Sequence, residues 1–306
     1  MNAPVRSAAA RALSPRAFVT LLLLACMFGA NHVAARVALD HGVDVATAVA
    51  VRSLATAAVV ALIVRLFGLP WTMTPRHRRV MPAIGVLIAV QSGCLYAAVA
   101  RIPVGLALLA FNTYPLWTAF FAWAVYRHVP ERAVLLAMPF ILLGLGLSLD
   151  VLGTAAGLDL AAQWQRIGPG VAFALVAAAT FGLVLALTQH EVADLDGRVR
   201  TALTMTLVGS LALVVALASG GLHWPNAAAG WWGLAGLTVL YGTAFTVMFV
   251  LLPRLGVVGN SPILNVEPVA ALLLAWALLD QRIAPVQWAG ALLVVGAVMS
   301  LGLRRR

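Results

Sequence analysis

Glu267 is the one acidic side chain set deep in a stretch otherwise apolar enough to cross a membrane, within Leu264-Asn265-Val266-Glu267-Pro268. An ionised carboxylate in hydrocarbon is expensive, so Glu267 must face a cavity, find a partner or carry a proton. Two roles fit: contact with a substrate amine or a transported proton, or a structural carboxylate paired inside a helix bundle. Arg52, the only arginine well within an apolar span, is one candidate partner.

Other polar and aromatic residues lie in apolar runs. Phe28, Asn31, His32 and Ala35 share one helical face by their i, i+3, i+4, i+7 spacing. Asn31 and His32 are too polar for lipid and are expected to line the interior. His32 either titrates near neutrality or stays neutral, bonded to a neighbouring helix. Gln91, Tyr96 and Tyr241 complete the set within the spans. Aromatic walls with a few convergent polar groups suit a small amphiphilic solute such as a neutral or aromatic amino acid. The competing role for the same aromatics is plain packing, or placement at a membrane interface.

Several chemistries have no support in the sequence. There is no lysine at all, hence no Walker A loop for ATP-driven pumping, and no HExxH, paired acids or Ser/Lys dyad of an integral-membrane enzyme. Cys26 and Cys94 have no CxxC or Cys/His cluster around them and read as small buried hydrophobes. No catalytic residue, cofactor or metal is expected. The net charge of +10 is carried by arginines in short clusters between apolar runs, without the basic, aromatic-interleaved face that nucleic-acid binding needs.

The elements that hold these residues follow from composition. With 63% hydrophobic and 10% charged residues and a mean hydropathy of +0.99, the chain cannot cover a soluble globule with polar surface. Apolar runs of about 20 residues, the length that spans a hydrocarbon core, fall at 17–38, 46–66, 81–100, 103–125, 133–151, 168–189, 198–218, 231–252, 257–279 and 285–303. The third and fourth are separated only by Arg101-Ile102-Pro103, a tight turn. The first follows Arg6, Arg11 and Arg16 as a signal peptide would, but is read as a retained helix because no soluble domain follows. If the N-terminus is cytoplasmic, the outside holds only Arg36, Arg101, Arg166 and Arg282, Arg52 lies within a span, and the other 15 arginines are inside. That satisfies the positive-inside rule and puts both termini in the cytoplasm. The longest external connection, 152–167, is either a linker or a short interfacial helix with Trp164 at headgroup level.

Sliding the 306-residue chain on itself by half its length superposes Arg101 on Arg254, Asn112 on Asn265, Pro115 on Pro268, Trp123 on Trp276 and Phe28-Gly29 on Phe181-Gly182. Two homologous five-helix halves follow. Because five is odd, the second half enters the membrane from the opposite side, the inverted repeat of secondary transporters. Glu267 and Asn265 point to nearly opposite faces of their helix. If Glu267 faces a cavity, its repeat mate Tyr114 does too, with Trp117 one turn on. Asn112 and Asn265 then serve packing, and the prolines break the helices. The expected fold class is all-α and integral to the membrane: ten transmembrane helices as two inverted five-helix repeats, over 1–151 and 168–306, joined by the external linker 152–167.

The stretch from Glu267 to Ile283, followed by Gln287-Trp288-Ala289-Gly290-Ala291, resembles the end of an EamA domain of the drug/metabolite transporter superfamily, and Tyr114-Pro115 to Gly146 repeats it more faintly. The resemblance implies an exporter of amino acids or related metabolites in the bacterial inner membrane, with a small-molecule substrate and membrane lipid as its partners. A polyspecific drug exporter or lipid flippase on the same scaffold stays open, as do the coupling ion and the oligomeric state. Where the family commonly has Gly-Glu, Leu279-Asp280 stands here and Arg127 takes the matching place in the first half. Asp280 with Arg282 reads as a solvated rim pair of little energetic weight.

Overall fold

In a computed structural model the described residues are 15–129, 132–150, 152, 157, 159–248, 266–281 and 284–304. Among them the chain is helical and contains no strand. The reason is general: in lipid each backbone N–H and C=O must be paired within its own segment, and apolar runs therefore coil.

The helices are α1 (Pro15–Asp40), α2 (Val45–Leu66), α3 (Pro75–Val99), α4 (Val104–Phe111), α5 (Tyr114–Tyr126), α6 (Arg132–Ser148), α7 (Leu160–Glu191), α8 (Gly197–Ala218), α9 (Ala228–Thr246), α10 (Glu267–Leu279) and α11 (Pro285–Arg304). By length and composition six stretches are able to cross a membrane: Phe18–Asp40, Val45–Leu66, Pro75–Val99, Val104–Tyr126, Leu160–Glu191 and Gly197–Ala218. Shorter apolar helices run over Leu135–Ser148, Glu267–Leu279 and Pro285–Ser300.

Local signals explain where several helices start, and where they depart from the expected spans. Asp44 caps α2 by accepting from the Thr47 N–H at 2.8 Å, satisfying one of the orphan donors of a first turn. Thr74 and His77 close a capping box with Pro75 at the first position, so α3 begins six residues before the apolar run that marks it in sequence. Asp159 caps α7 by accepting from the Ala162 N–H at 2.7 Å. Residues 160–167, expected in the external connection, are thus the first two turns of a continuous 32-residue helix.

The fourth span divides. Asn112 and Thr113 form a turn between α4 and α5, and Pro115, which has no N–H to donate, sits in the first turn of α5. Glu267-Pro268 opens α10 in the same way. The two helices also end alike, on left-handed residues 153 positions apart, Arg127 at φ 58° and Asp280 at φ 50°. Asn265 and Arg282, on which two of the readings above rest, lie outside the described residues, as do the end of the eighth span and the first part of the ninth.

Packing follows the repeat. α2 lies along α8, α6 along α11, α3 along α7 and α1 along α9; α5 packs on α7, α10 on α1, α3 on α8 and α9 on α2. Exchanging the halves, so that α1 takes the place of α7, α2 of α8, α3 of α9, α5 of α10 and α6 of α11, maps this set of pairings onto itself. Glycines make two of the equivalent crossings possible. A Cβ on Gly29 would lie 2.9 Å from the Ala271 nitrogen, and one on Gly182 would lie 2.7 Å from the Thr118 nitrogen. Those partners are themselves repeat mates. Small residues let helix backbones approach closely where lipid provides no hydrophobic drive between helices.

Candidate functional site

The Gly29 crossing fixes the first charged group. It holds the start of α10 against α1, and His32 lies one turn beyond Gly29, so the first residue of α10 meets the imidazole. His32 Nε2 stands 3.4 Å from Glu267 Oε1. This is long for a hydrogen bond and within ion-pair range when the ring is protonated. The Glu267 side chain remains 24% exposed while that of His32 is 7% exposed, so the carboxylate is reachable and the histidine stands behind it. Among the described residues His32 Nδ1 has no partner.

Arg52 is not the partner of Glu267. It rides on α2, which packs against α8 and α9, whereas Glu267 is carried by α10 against α1. The Arg52 guanidinium carbon lies 3.9 Å from the Tyr241 ring centre and 4.8 Å from that of Tyr96. Its Nη2 donates to Ser92 Oγ at 3.0 Å, and that hydroxyl donates to Gln91 Oε1 at 3.2 Å. Arg52 is 3% exposed and makes no ion pair among the described residues. Insertion of an arginine at a helix centre costs about 2.5–3.5 kcal/mol on translocon scales. Two desolvated cation–π contacts at about 2 kcal/mol each are of the same size. The aromatic sandwich therefore suffices to hold the charge without a carboxylate.

Tyr96 links the two charged groups. Its ring lies edge-on to His32 at 5.9 Å and its hydroxyl donates to Asn31 Oδ1 at 3.5 Å. Asn31, His32 and Tyr96 are all buried, in keeping with the inward face read from the α1 spacing. Phe28 on the same face is half-buried and packs on Tyr241 at 6.4 Å and Phe245 at 5.9 Å.

Residues of both halves form a second aromatic cluster. Tyr114 lies 5.2 Å from Phe181, and Phe111 sits 5.6 Å from Tyr114 and 5.4 Å from Phe181. Trp117 stands apart: its ring stacks with Phe121 at 6.4 Å, and its backbone forms the α5 side of the Gly182 crossing. Of the residues singled out in sequence, Phe28, Asn31, His32, Gln91, Tyr96, Tyr241 and Glu267 thus join one contact chain through Arg52 and Ser92, Tyr114 and Phe181 form a second cluster with Phe111, and Trp117 belongs to neither. Asn112 is buried with Nδ2 unpartnered among the described residues.

Sequence reasoning overlooked Phe111, Ser92 and Phe245. Phe111 heads the Phe-Asn-Thr-Tyr-Pro stretch, and Ser92 follows Gln91. Phe245 lies one helical turn from Tyr241, so a signal was present for each. A further cluster, at the far ends of α3, α5 and α7, had none, because each of its contacts joins residues more than sixty positions apart. Arg76 Nε donates to Glu191 at 2.7 Å and Arg76 also donates to the His190 carbonyl. Tyr126 donates to Glu191 at 2.8 Å and stacks on His190 at 3.9 Å. Beside it His77 Nε2 lies 2.9 Å from Asp194, and that contact holds the Asp194 carboxyl below its ordinary range. An apolar groove between α6 and α11, lined by Leu136, Phe140, Leu292 and Gly296, is remote from both clusters and offers no charged group.

Helices paired by exchange of two halves, around a reachable carboxylate and an enclosed cation, define a polytopic membrane protein built to hold and pass a small molecule. The chain belongs to the EamA-like transporter family, whose model matches residues 16–149 and again 168–303. A solved structure described only as the crystal structure of a protein is similar, at a TM-score of 0.62 and 17% identity over 95% of this chain and 99% of its own. That likeness shows a shared fold. No curated protein matches the chain.

Proposed function

We propose that the chain is a secondary transporter that exports neutral or aromatic amino acids, or related small metabolites, across the bacterial inner membrane by alternating access. In this reading it has ten spans in two inverted halves, with both termini in the cytoplasm. The observation that carries the reading is the Glu267 carboxylate, partly exposed against buried His32, in a bundle that also holds the ring pairs Phe28–Tyr241 and Tyr114–Phe181. A carboxylate accepts an ammonium group, and aromatic rings accept an apolar side chain. Phe28 and Phe181 are repeat mates, as are Tyr114 and Glu267, so in this reading the site joins both halves, where rocking of one half against the other exposes it to each side in turn. The His32–Glu267 pair gives a place for a proton to compete with a substrate amine.

Counterflow in proteoliposomes with labelled amino acids, with and without a pH gradient, tests this directly. Saturable flux that changes with the gradient is expected. Absence of saturable flux for every amino acid would overturn the substrate class. Glu267→Gln tests coupling: unchanged flux with unchanged pH dependence removes the carboxylate from both roles.

A further inference from the structure

Arg52 is a buried guanidinium without an acidic partner among the described residues. Its Nε has no hydrogen-bond partner among the described residues, and neither does Asn31 Nδ2. Both residues border the same ring: Arg52 lies over Tyr96, and Asn31 accepts from the Tyr96 hydroxyl, which leaves its amide free to donate. The remaining contacts of the guanidinium are the Tyr241 face and the Ser92 hydroxyl. Each idle atom is an N–H donor, and a buried donor left unpaired is costly. One positive charge with a spare donor and no acidic partner among the described residues is the complement of an oxyanion.

We infer that Arg52 and Asn31, disposed about Tyr96, form the subsite that receives the carboxylate of the transported solute, while its amine and apolar parts lie toward Glu267, Phe28 and Phe181. The inference rests on the reading of the chain as a small-molecule exporter and assigns the polarity of its site. One guanidinium matches one negative charge. A doubly charged phosphate would leave excess negative charge in a low-dielectric interior that already contains Glu267, so a monocarboxylate is the favoured ligand. The order of charges along the contact chain then makes the site dipolar: cation at α2, carboxylate at α10, aromatic rings between and around them. A zwitterion fits both ends, whereas a purely cationic amphiphile meets Arg52 as a like charge.

The test compares solutes that keep the carboxylate, with or without the amine, against one in which the carboxylate is replaced by an amide. Phenylalanine, phenylalaninamide and 3-phenylpropionate are added to the purified full-length chain, and thermal unfolding and inhibition of counterflow are read for wild type, Arg52→Lys and Asn31→Ala. Phenylalanine and 3-phenylpropionate are expected to stabilise the wild type and to compete, and the amide to do neither. Arg52→Lys keeps the charge but loses the planar fork, and is expected to raise the KM for phenylalanine at least tenfold with a smaller change in kcat. Equal action by the amide, or a KM unchanged in Arg52→Lys, overturns the subsite. If the carboxylates stabilise the protein through Arg52 but no amino acid is transported, the subsite stands and the amino-acid reading falls. If none of the three probes alters unfolding or flux, the subsite falls. Should Arg52→Lys fail to fold, the acid-against-amide comparison on the wild type still decides.

Discussion

Gly182 is the sharpest test of the packing that holds the site together. It lies in α7 beside Phe181, and a methyl placed on it would sit 2.6 Å from Trp117 Cβ and 2.7 Å from the Thr118 nitrogen. Two effects of Gly182→Ala oppose each other. Alanine improves intrinsic helix propensity by about 1 kcal/mol. Against this, the contact is with backbone and Cβ atoms of α5, which no change of rotamer moves aside, and overpacking of such a site costs about 1–3 kcal/mol. Gly146→Ala is the control, since Gly146 is also helical and a Cβ there meets nothing within 4 Å. The propensity gain is common to both, so the difference between the two variants is the overpacking cost itself, about 1–3 kcal/mol. Thermal unfolding of the purified chain should rank Gly146→Ala at or above wild type and Gly182→Ala below it. Forcing α5 from α7 also moves Tyr114 off Phe181, so counterflow should fall more than stability alone accounts for. A Gly182→Ala chain as stable and active as Gly146→Ala would refute the close crossing and the wall built on it.

Other consequences are more local. Asp44→Ala removes the α2 cap on the Thr47 N–H and the 3.6 Å approach to His223, and should lower unfolding stability by about 1 kcal/mol. Asp194 has its carboxyl held down by His77. Its contribution is therefore present above the ordinary carboxylate range and lost as pH falls through its own lower value. Wild type should lose stability in that acid window, and Asp194→Asn should lose less of it when unfolding is followed against pH. Tyr126→Phe deletes the hydroxyl that donates to Glu191 and keeps the stacking on His190; amide exchange at the ends of α5 and α7 should quicken while the site aromatics stay protected.

Much of the fold was legible because its signals are periodic or repeated. Apolar runs long enough to span a bilayer need no tertiary information, and the scarce Arg, Asn, Pro and Trp residues betray the repeat in a chain of alanine and leucine. Boundaries were less legible where polar caps extend helices past their apolar cores, as Asp159 does for α7 and Thr74 for α3. The break between α4 and α5 was foreshadowed by Asn112 and Pro115, but the split into two short helices was not. The site was legible as an inventory of inward-facing groups, since Asn31, His32 and Glu267 have no acceptable place in lipid.

What the sequence determined by itself is the solvent this chain belongs in, its duplication, and which side chains are too polar to face hydrocarbon. Which charge meets which was decided only by tertiary structure. Arg52 is one candidate partner for Glu267 on paper because it is the only arginine set well within a span. Helix packing separates them, placing α2 between α8 and α9 and α10 against α1, so that a histidine takes the carboxylate and two tyrosines take the guanidinium. A one-dimensional pattern gives the cost of burying each charge. The partner that offsets that cost depends on which helices lie side by side, and here this is set by glycines at crossings whose two members are far apart in the chain.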